Sequence, residues 1–307
     1  MNLALLAAAA SGVQVGAAIV ASRFAVAEVP PLTLAMLRYA IGFACLLPFA
    51  WMSLSTAPGA SRPPAVGTSR AADLLAMAAL GIGQFGVLIA LLNFGLRHVG
   101  AAQAALIFSL LPLLTLSLGA VLGRERVTAP LVLGVLLSIA GVALSLAPKL
   151  GQAQAAHWWG EAAVAGAACT GALCSVLYRP YLQRYPMVPV SAFAMASSVV
   201  VLAMLALGEQ WPARVFTFSG QAWAATGFIG VSSGIGYFLW LYALKHESPT
   251  RVTVFLALNP LTAALLGWAW LNEPLQPVAL YALGLIAAGL WLATLRPTAQ
   301  ELSGPRP

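Results

Sequence analysis

The stretch Leu92–Glu125, LNFGLRHVGAAQAALIFSLLPLLTLSLGAVLGRE, aligns without a gap on Trp240–Glu273, WLYALKHESPTRVTVFLALNPLTAALLGWAWLNE, when the sequence is moved 148 positions against itself. Identities fall at Leu96/Leu244, His98/His246, Leu110/Leu258, Pro112/Pro260, Leu113/Leu261, Gly119/Gly267 and Glu125/Glu273, and Arg97/Lys245 is conservative. Leucine and glycine matches carry little weight in so apolar a chain. The His, Pro and Glu matches do not arise from composition, and they mark an internal repeat.

The repeated unit is read from the solvent it requires. A chain of 307 residues that is 61% hydrophobic and 7% charged, with mean hydropathy +0.90, has more apolar surface than a water-soluble core can hide, so the composition points to a bilayer. Ten segments, near 3–27, 32–54, 71–97, 101–122, 128–148, 159–183, 188–208, 219–246, 250–271 and 275–295, are apolar enough and long enough to cross about 30 Å of hydrocarbon as helices. The fold expected is an all-α membrane protein of ten transmembrane helices. Residues 1–150 form the first five-helix unit, 151–298 the second, and 299–307 a short cytoplasmic tail. Five is odd, so the second unit enters the membrane from the opposite side and the repeat is inverted. Inverted repeats characterise secondary transporters, in which one design builds both an outward and an inward gate around a midplane site.

The fifteen Lys and Arg are scattered singly, which speaks for topology and against nucleic acid. One side of the membrane receives Arg62, Arg70, Arg124, Arg126, Arg179, Arg184, Lys245, Arg251, Arg296 and Arg306; the other receives Arg23, Arg97, Lys149 and Arg214. That asymmetry places both termini in the cytoplasm. The N-terminal run has no Lys or Arg before its apolar stretch and continues too long for a signal peptide, so it reads as the first span. Cys45, Cys169 and Cys174 all lie in spans, and the spacing of the last two puts them on different helix faces, against a disulfide.

Arg38 is the single formal charge well inside a span, and burying it unpaired would cost at least ~3 kcal/mol. It either meets water, carbonyls or a ligand, or snorkels to the interface two turns away. Pro112 and Pro260 sit mid-span, where each frees a carbonyl, that of Phe108 or Leu256, and predicts a kink serving as hinge or gate. Among uncharged polar and aromatic groups inside spans, Gln14, Gln84, Asn93, Gln103, Tyr237, Trp240 and Asn259 are the candidates, with Arg38, to line a substrate cavity; each could instead bond a neighbouring helix. Amides beside aromatics suit a small amphipathic solute. Four glycines between Gly227 and Gly236 read as tight packing or as a deformable helix. All eight acids fall at span ends or outside, which argues against carboxylate-based ion coupling at the midplane. No phosphate-binding Gly-Lys-Ser loop, metal spacing or nucleophile set is present, so neither cofactor nor metal is expected.

The five-plus-five pattern, the Arg within LAMLRYAIG and the paired Pro-then-Glu of spans four and nine resemble the drug/metabolite transporter superfamily, in particular its ten-span members with two EamA-type repeats. The resemblance covers essentially the whole chain. It implies an inner-membrane carrier with a cavity lined by both halves, commonly an exporter of amino acids or other small metabolites by alternating access. One departure is that SAFAMASSV, the counterpart of the Arg38 segment, is uncharged. An importer of a cation, vitamin or sugar derivative is the alternative within transport, and an intramembrane enzyme or lipid-handling protein the alternative outside it. Glu125 and Glu273 read as structural helix-end residues: Glu273 with Pro274 as the start of span ten, and Glu125 shortly before Thr128, a cap for span five.

Overall fold

The computed structural model describes residues 3–55, 70–122, 129–150, 158–185, 187–246, 255, 258–274 and 277–293, and every regular element among them is helical. Glu125, Thr128 and Leu256, the tail 299–307, and Arg62, Arg124, Arg126, Arg251, Arg296 and Arg306 of the charge asymmetry lie outside the described residues. Helix α1 (Leu3–Ala25) leads by a short turn into α2 (Pro31–Ser55), which opens on the proline favoured at a first helical position. Helix α3 (Arg70–Gly81) continues through a π segment (Ile82–Val87) into α4 (Leu88–Leu96); α5 (Ala101–Phe108) and α6 (Leu111–Val121) follow end to end. Then come α7 (Ala129–Leu150), α8 (Trp159–Arg184), α9 (Met187–Leu205), the short α10 (Trp211–Arg214), α11 (Gly220–His246), α12 (Leu258–Leu271) and α13 (Pro277–Ala293). Seven helical stretches among the described residues are long and apolar enough to cross a membrane, and two shorter apolar helices span Val132–Leu144 and Pro277–Gly289.

The distribution of side-chain size is that of a membrane bundle. Large apolar groups such as Trp51, Leu75 and Trp270 face outward, while alanines, among them Ala8, Ala25, Ala104, Ala194 and Ala263, are fully covered. In hydrocarbon the association of helices gains little from burying apolar surface, so close van der Waals approach at small residues holds it together. A Cβ on Gly12 would stand 2.2 Å from the carbonyl oxygen of Phe255, and one on Gly16 2.5 Å from that of Asn259. Gly16 brings α1 against the backbone of α12, and Gly12 brings it against Phe255 just ahead of that helix.

The helix pairings are nearly unchanged when the two halves are exchanged. Helix α1 packs on α11 and α12, as α8 packs on α4, α5 and α6; α2 packs on α11, as α9 packs on α3. Two pairings, α2 with α9 and α7 with α13, map onto themselves. In the second, the Ser138 hydroxyl lies 3.5 Å from the Ile286 carbonyl, and these residues are themselves 148 positions apart. A Cβ on Gly141 would meet Ala282, and one on Gly289 would meet Gly134 and Ser138. Residues that touch their own repeat equivalents lie at the axis relating the repeats.

Two local expectations are corrected. Pro112 does not kink a continuous helix. Span four is broken: Ser109 and Leu110 form a turn and α6 restarts at Leu111 with Pro112 in its first turn, where the missing N–H is no loss. Pro260 lies in the first turn of α12 as described, and the expected kink before it falls on residues outside the described ones. Glu273 with Pro274 does not begin the last helix, which starts at Pro277. Asn272 adopts the left-handed conformation (φ 52°) that asparagine tolerates, ending α12, and the Glu273 amide turns back to the Gly267 carbonyl at 3.1 Å. The carboxylate then caps a helix of the other half, accepting the Ala101 amide of α5 at 2.9 Å, with Arg23 of α1 at 3.5 Å. Two further acids act alike. Glu209 accepts the Thr33 amide at 2.7 Å and the Leu32 amide at 3.1 Å, capping α2; Glu28 accepts the Ser219 amide just before α11. All three caps cross between the halves at one end of the bundle.

Replacing Glu273 with Ala is expected to lower the thermal midpoint of the purified protein, because loss of a cap costs about 0.5–2 kcal/mol, while Gln, which retains an acceptor oxygen, loses less; a fluorescence melt of the three proteins checks it. Gly289→Val should be the more damaging change, about 1–3 kcal/mol for overpacking, because its Cβ would stand 2.5 Å from the Gly134 backbone oxygen. Folded yield on size exclusion reads this directly.

Candidate functional site

A cavity of about 270 Å³ lies among α1, α2, the π segment, α4, the α5–α6 break, α8, α9, α11 and α12. Counting 1.5 Å per residue from the end that carries the three caps, Gln14 and Gln84 lie roughly 16–18 Å deep, near the middle of a hydrocarbon layer. Three backbone features converge there. The π segment follows Gly81, whose carbonyl accepts the buried Ser198 hydroxyl at 2.7 Å, an intrusion into the α-helical ladder of the kind that widens a turn. The α5–α6 break supplies Ser109, Leu111 and Pro112, and the first turn of α12 supplies Asn259. Irregular backbone at this depth is tolerated where protein or a cavity surrounds it.

Arg38 is the single formal charge among the described residues that line the cavity. Its side chain is 8% exposed and its Nε donates to Ser233 Oγ of α11 at 2.8 Å, so it turns inward and does not snorkel. One hydroxyl cannot satisfy a guanidinium with five donors. Three aromatic rings form the facing wall: Phe85 meets Tyr39 edge-on at 5.1 Å and Tyr237 at 5.8 Å between centroids. Tyr237 also shares a hydrogen bond of 3.0 Å with Ser191. Gln14 donates to Ser232 Oγ at 3.1 Å. The side-chain oxygens of Gln84 and Asn259 are buried without a hydrogen-bond partner, and the Asn259 side chain is 3% exposed.

Of the residues singled out in the sequence, Gln14, Arg38, Gln84, Tyr237, Trp240, Asn259 and Pro112 share this cavity. Asn93 and Gln103 do not. Asn93 donates to the Pro31 carbonyl at 3.1 Å, and Gln103 to Glu161 at 3.3 Å, both tying helix ends together at the capped face. Pro260 follows Asn259 in α12 but is not part of the lining. The sequence reading passed over Tyr39, Phe85 and Ser11, which line the cavity. Tyr39 had a usable signal, since it neighbours the one intramembrane charge; Phe85 and Ser11 had none that separates them from packing residues.

Comparison with known proteins agrees with this architecture. The EamA-like transporter family model matches residues 2–147 and again 158–295. A protein of Streptantibioticus cattleyicolor described as a probable terminal-alkyne amino-acid exporter is 31% identical over 243 residues, 77% of this chain and 78% of that one. An uncharacterized transporter of Archaeoglobus fulgidus is 28% identical over 223 residues, 72% of this chain and 77% of its own. A solved crystal structure superposes with a TM-score of 0.65 at 21% identity, covering 97% of this chain and 98% of that one, which shows a shared fold. With the family model matched twice in succession over almost its full length, the chain belongs to the EamA-like transporter family and is a multi-pass membrane protein.

Proposed function

We propose that the chain is a ten-span carrier of two inverted five-helix repeats that exports a small amphipathic organic solute bearing a carboxylate, of amino-acid type, by alternating access across the bacterial inner membrane. The observation that carries this reading is the central cavity with one buried, under-satisfied Arg38 and an aromatic wall. A guanidinium pairs two N–H groups with a carboxylate, and a site of low dielectric makes that pair strong. The partnerless oxygens of Gln84 and Asn259 suit an ammonium donor, and the rings of Tyr39 and Tyr237 offer it their faces. One cation is too few for a phosphorylated solute, so a monoanionic head fits best. The relative described as an amino-acid exporter supports the same class.

The pairing of α2 with α9 and of α7 with α13 across the pseudo-axis supports a rocking motion of one half against the other around the cavity. Such a motion must part the three acid caps at one end. Each is a charge-assisted bond between halves, so that end is held shut in the conformation described, and the cytoplasmic placement of both termini would make it the outer gate.

In cells challenged with toxic amino-acid analogues, expression should protect against one chemical class. Arg38→Ala should reduce the corresponding flux in reconstituted vesicles about tenfold or more, the loss of a charged hydrogen-bonded pair worth ~1.5–3 kcal/mol. Arg38→Lys keeps the charge without the fork and should fall between; equal flux in all three proteins would remove the carboxylate assignment. Gln84→Leu and Asn259→Leu are expected to lower the transport of zwitterions more than that of plain carboxylates of equal size, measured by competition for a labelled substrate.

A further inference from the structure

A second hollow lies beside the central one. A groove of about 500 Å³ runs along the outer face of α11, lined by Gly227, Phe228, Val231, Ser232, Ile235 and Leu239, with Gln14 of α1 at its floor. Phe228, Val231 and Ile235 are 46%, 42% and 53% exposed, so in a bilayer this face meets hydrocarbon. Gln14 is common to both hollows. At mid-depth an amide on a lipid-facing groove is costly, and here its hydrogen bond to Ser232 closes it off.

The wall between groove and cavity is two adjacent residues of α11. Ser232 faces the groove and holds Gln14; Ser233 faces the cavity and holds Arg38. Both hydroxyls also donate to the same carbonyl, that of Ile229, at 3.1 and 2.6 Å. Such back-bonding loosens and bends a helix locally, and here it falls inside the run of four glycines from Gly227 to Gly236. A Cβ on Gly236 would stand 2.1 Å from Gln14 Oε1, so only glycine leaves the amide in its place against α11. The wall is thin and deformable, and across it α1 is latched to α11 by two neutral hydrogen bonds, Gln14 to Ser232 and Ser11 to the Gly236 carbonyl at 3.3 Å.

We propose that this is a side entrance for a single-chain amphiphilic anion, whose alkyl tail lies in the groove while its head passes between Gln14 and Ser232 to Arg38. The inference rests on the carrier reading of the central cavity. Three features select the occupant. The groove from Gly227 to Leu239 is about 18 Å long at 1.5 Å per residue, the reach of a long alkyl chain; its lining is apolar apart from the latch; and the charge waiting behind the latch is positive.

The test uses the full chain in phosphatidylcholine vesicles with a long-chain alkyl sulfonate carrying a diazirine at its tail, a fixed anion that photolabels what the tail touches. Labelling should concentrate on Phe228–Leu239, saturate with concentration and be displaced by unlabelled alkyl sulfonate. Gly227→Trp, at a position with no atom within 4 Å of a Cβ, and the outward Val231→Trp should each lower that labelling severalfold. Arg38→Ala should move half-saturation to higher concentration without altering labelling elsewhere. Unsaturable labelling spread evenly over the lipid-facing helices would overturn the site, and so would groove labelling that neither tryptophan reduces. Half-saturation unchanged in Arg38→Ala would overturn the route from groove to cavity. Labelling is read without transport, so absence of small-carboxylate flux counts against the carrier reading alone, and loss of groove labelling with Arg38-dependent flux intact counts against the side entrance alone.

Discussion

A helix that begins at the margin of a hydrocarbon layer has several amide N–H groups with no intrahelical acceptor, and water is scarce where the bundle is closed. At one end of this protein three such beginnings, those of α2, α5 and α11, are met by carboxylates from the opposite half: Glu209, Glu273 and Glu28. The same atoms satisfy the helix starts and hold the halves together. The glycine contacts set how closely the helices approach, but steric fit is indifferent to which end of the bundle opens. The caps are not, because among the described residues all three are at the same end, the other end having one described acid bond between halves, Tyr185 to Asp73 at 2.9 Å. What keeps that end closed is a small number of bonds between a full negative charge and the positive end of a helix, each strong in a low dielectric and each able to be exchanged for water.

The middle of the bundle is organised by the opposite device, the deliberate loss of helical hydrogen bonds. The π segment and the Ser109–Leu110 turn are both near half-depth, and both contribute to the cavity, as does Asn259 in the first turn of α12. A continuous apolar helix presents only side chains. A broken one presents side chains at altered angles, a helix start and loosened carbonyls, which is why transporters place breaks at their binding sites. Proline at the first turn of α6 makes that break permanent at little cost, since the bond it removes belongs to an unfilled position.

How much of this was legible follows from the range of each interaction. The repeat, the spans and the coupling of Pro112 to Pro260 are visible because period and hydropathy are local properties of the string. Arg38, Gln14, Gln84, Tyr237, Trp240 and Asn259 could be gathered as candidates because polar groups at mid-span are few. Which of them meet could not be read, since that depends on which helix face turns inward, and these helices are apolar all round. Asn93 and Gln103 illustrate the point: the same residue types, close to helix ends, satisfy backbone and carboxylate partners at the capped end. The Glu273 assignment misplaced the helix being capped. Its proximity to Pro274 suggested the helix next in sequence, whereas the left-handed Asn272 turns the chain and delivers the carboxylate to α5, 172 positions away.

The two halves are alike in fold and unlike in charge, and that difference has a mechanical reading. SAFAMASSV in α9, the segment that stands for the Arg38 segment of α2 in the second half, carries no charge. A second cation in the same cavity would repel the first in a low dielectric, so the cavity is compatible with one cation and opposes two. The single Arg38 then needs a neutral partner from the other half, and Ser233 of α11 supplies it. A neutral partner holds the guanidinium in place but leaves most of its donors unmatched. An anion entering the cavity therefore gains both charge and hydrogen bonds without first having to displace a carboxylate, and the asymmetry that the repeat permits is the one that a binding site requires.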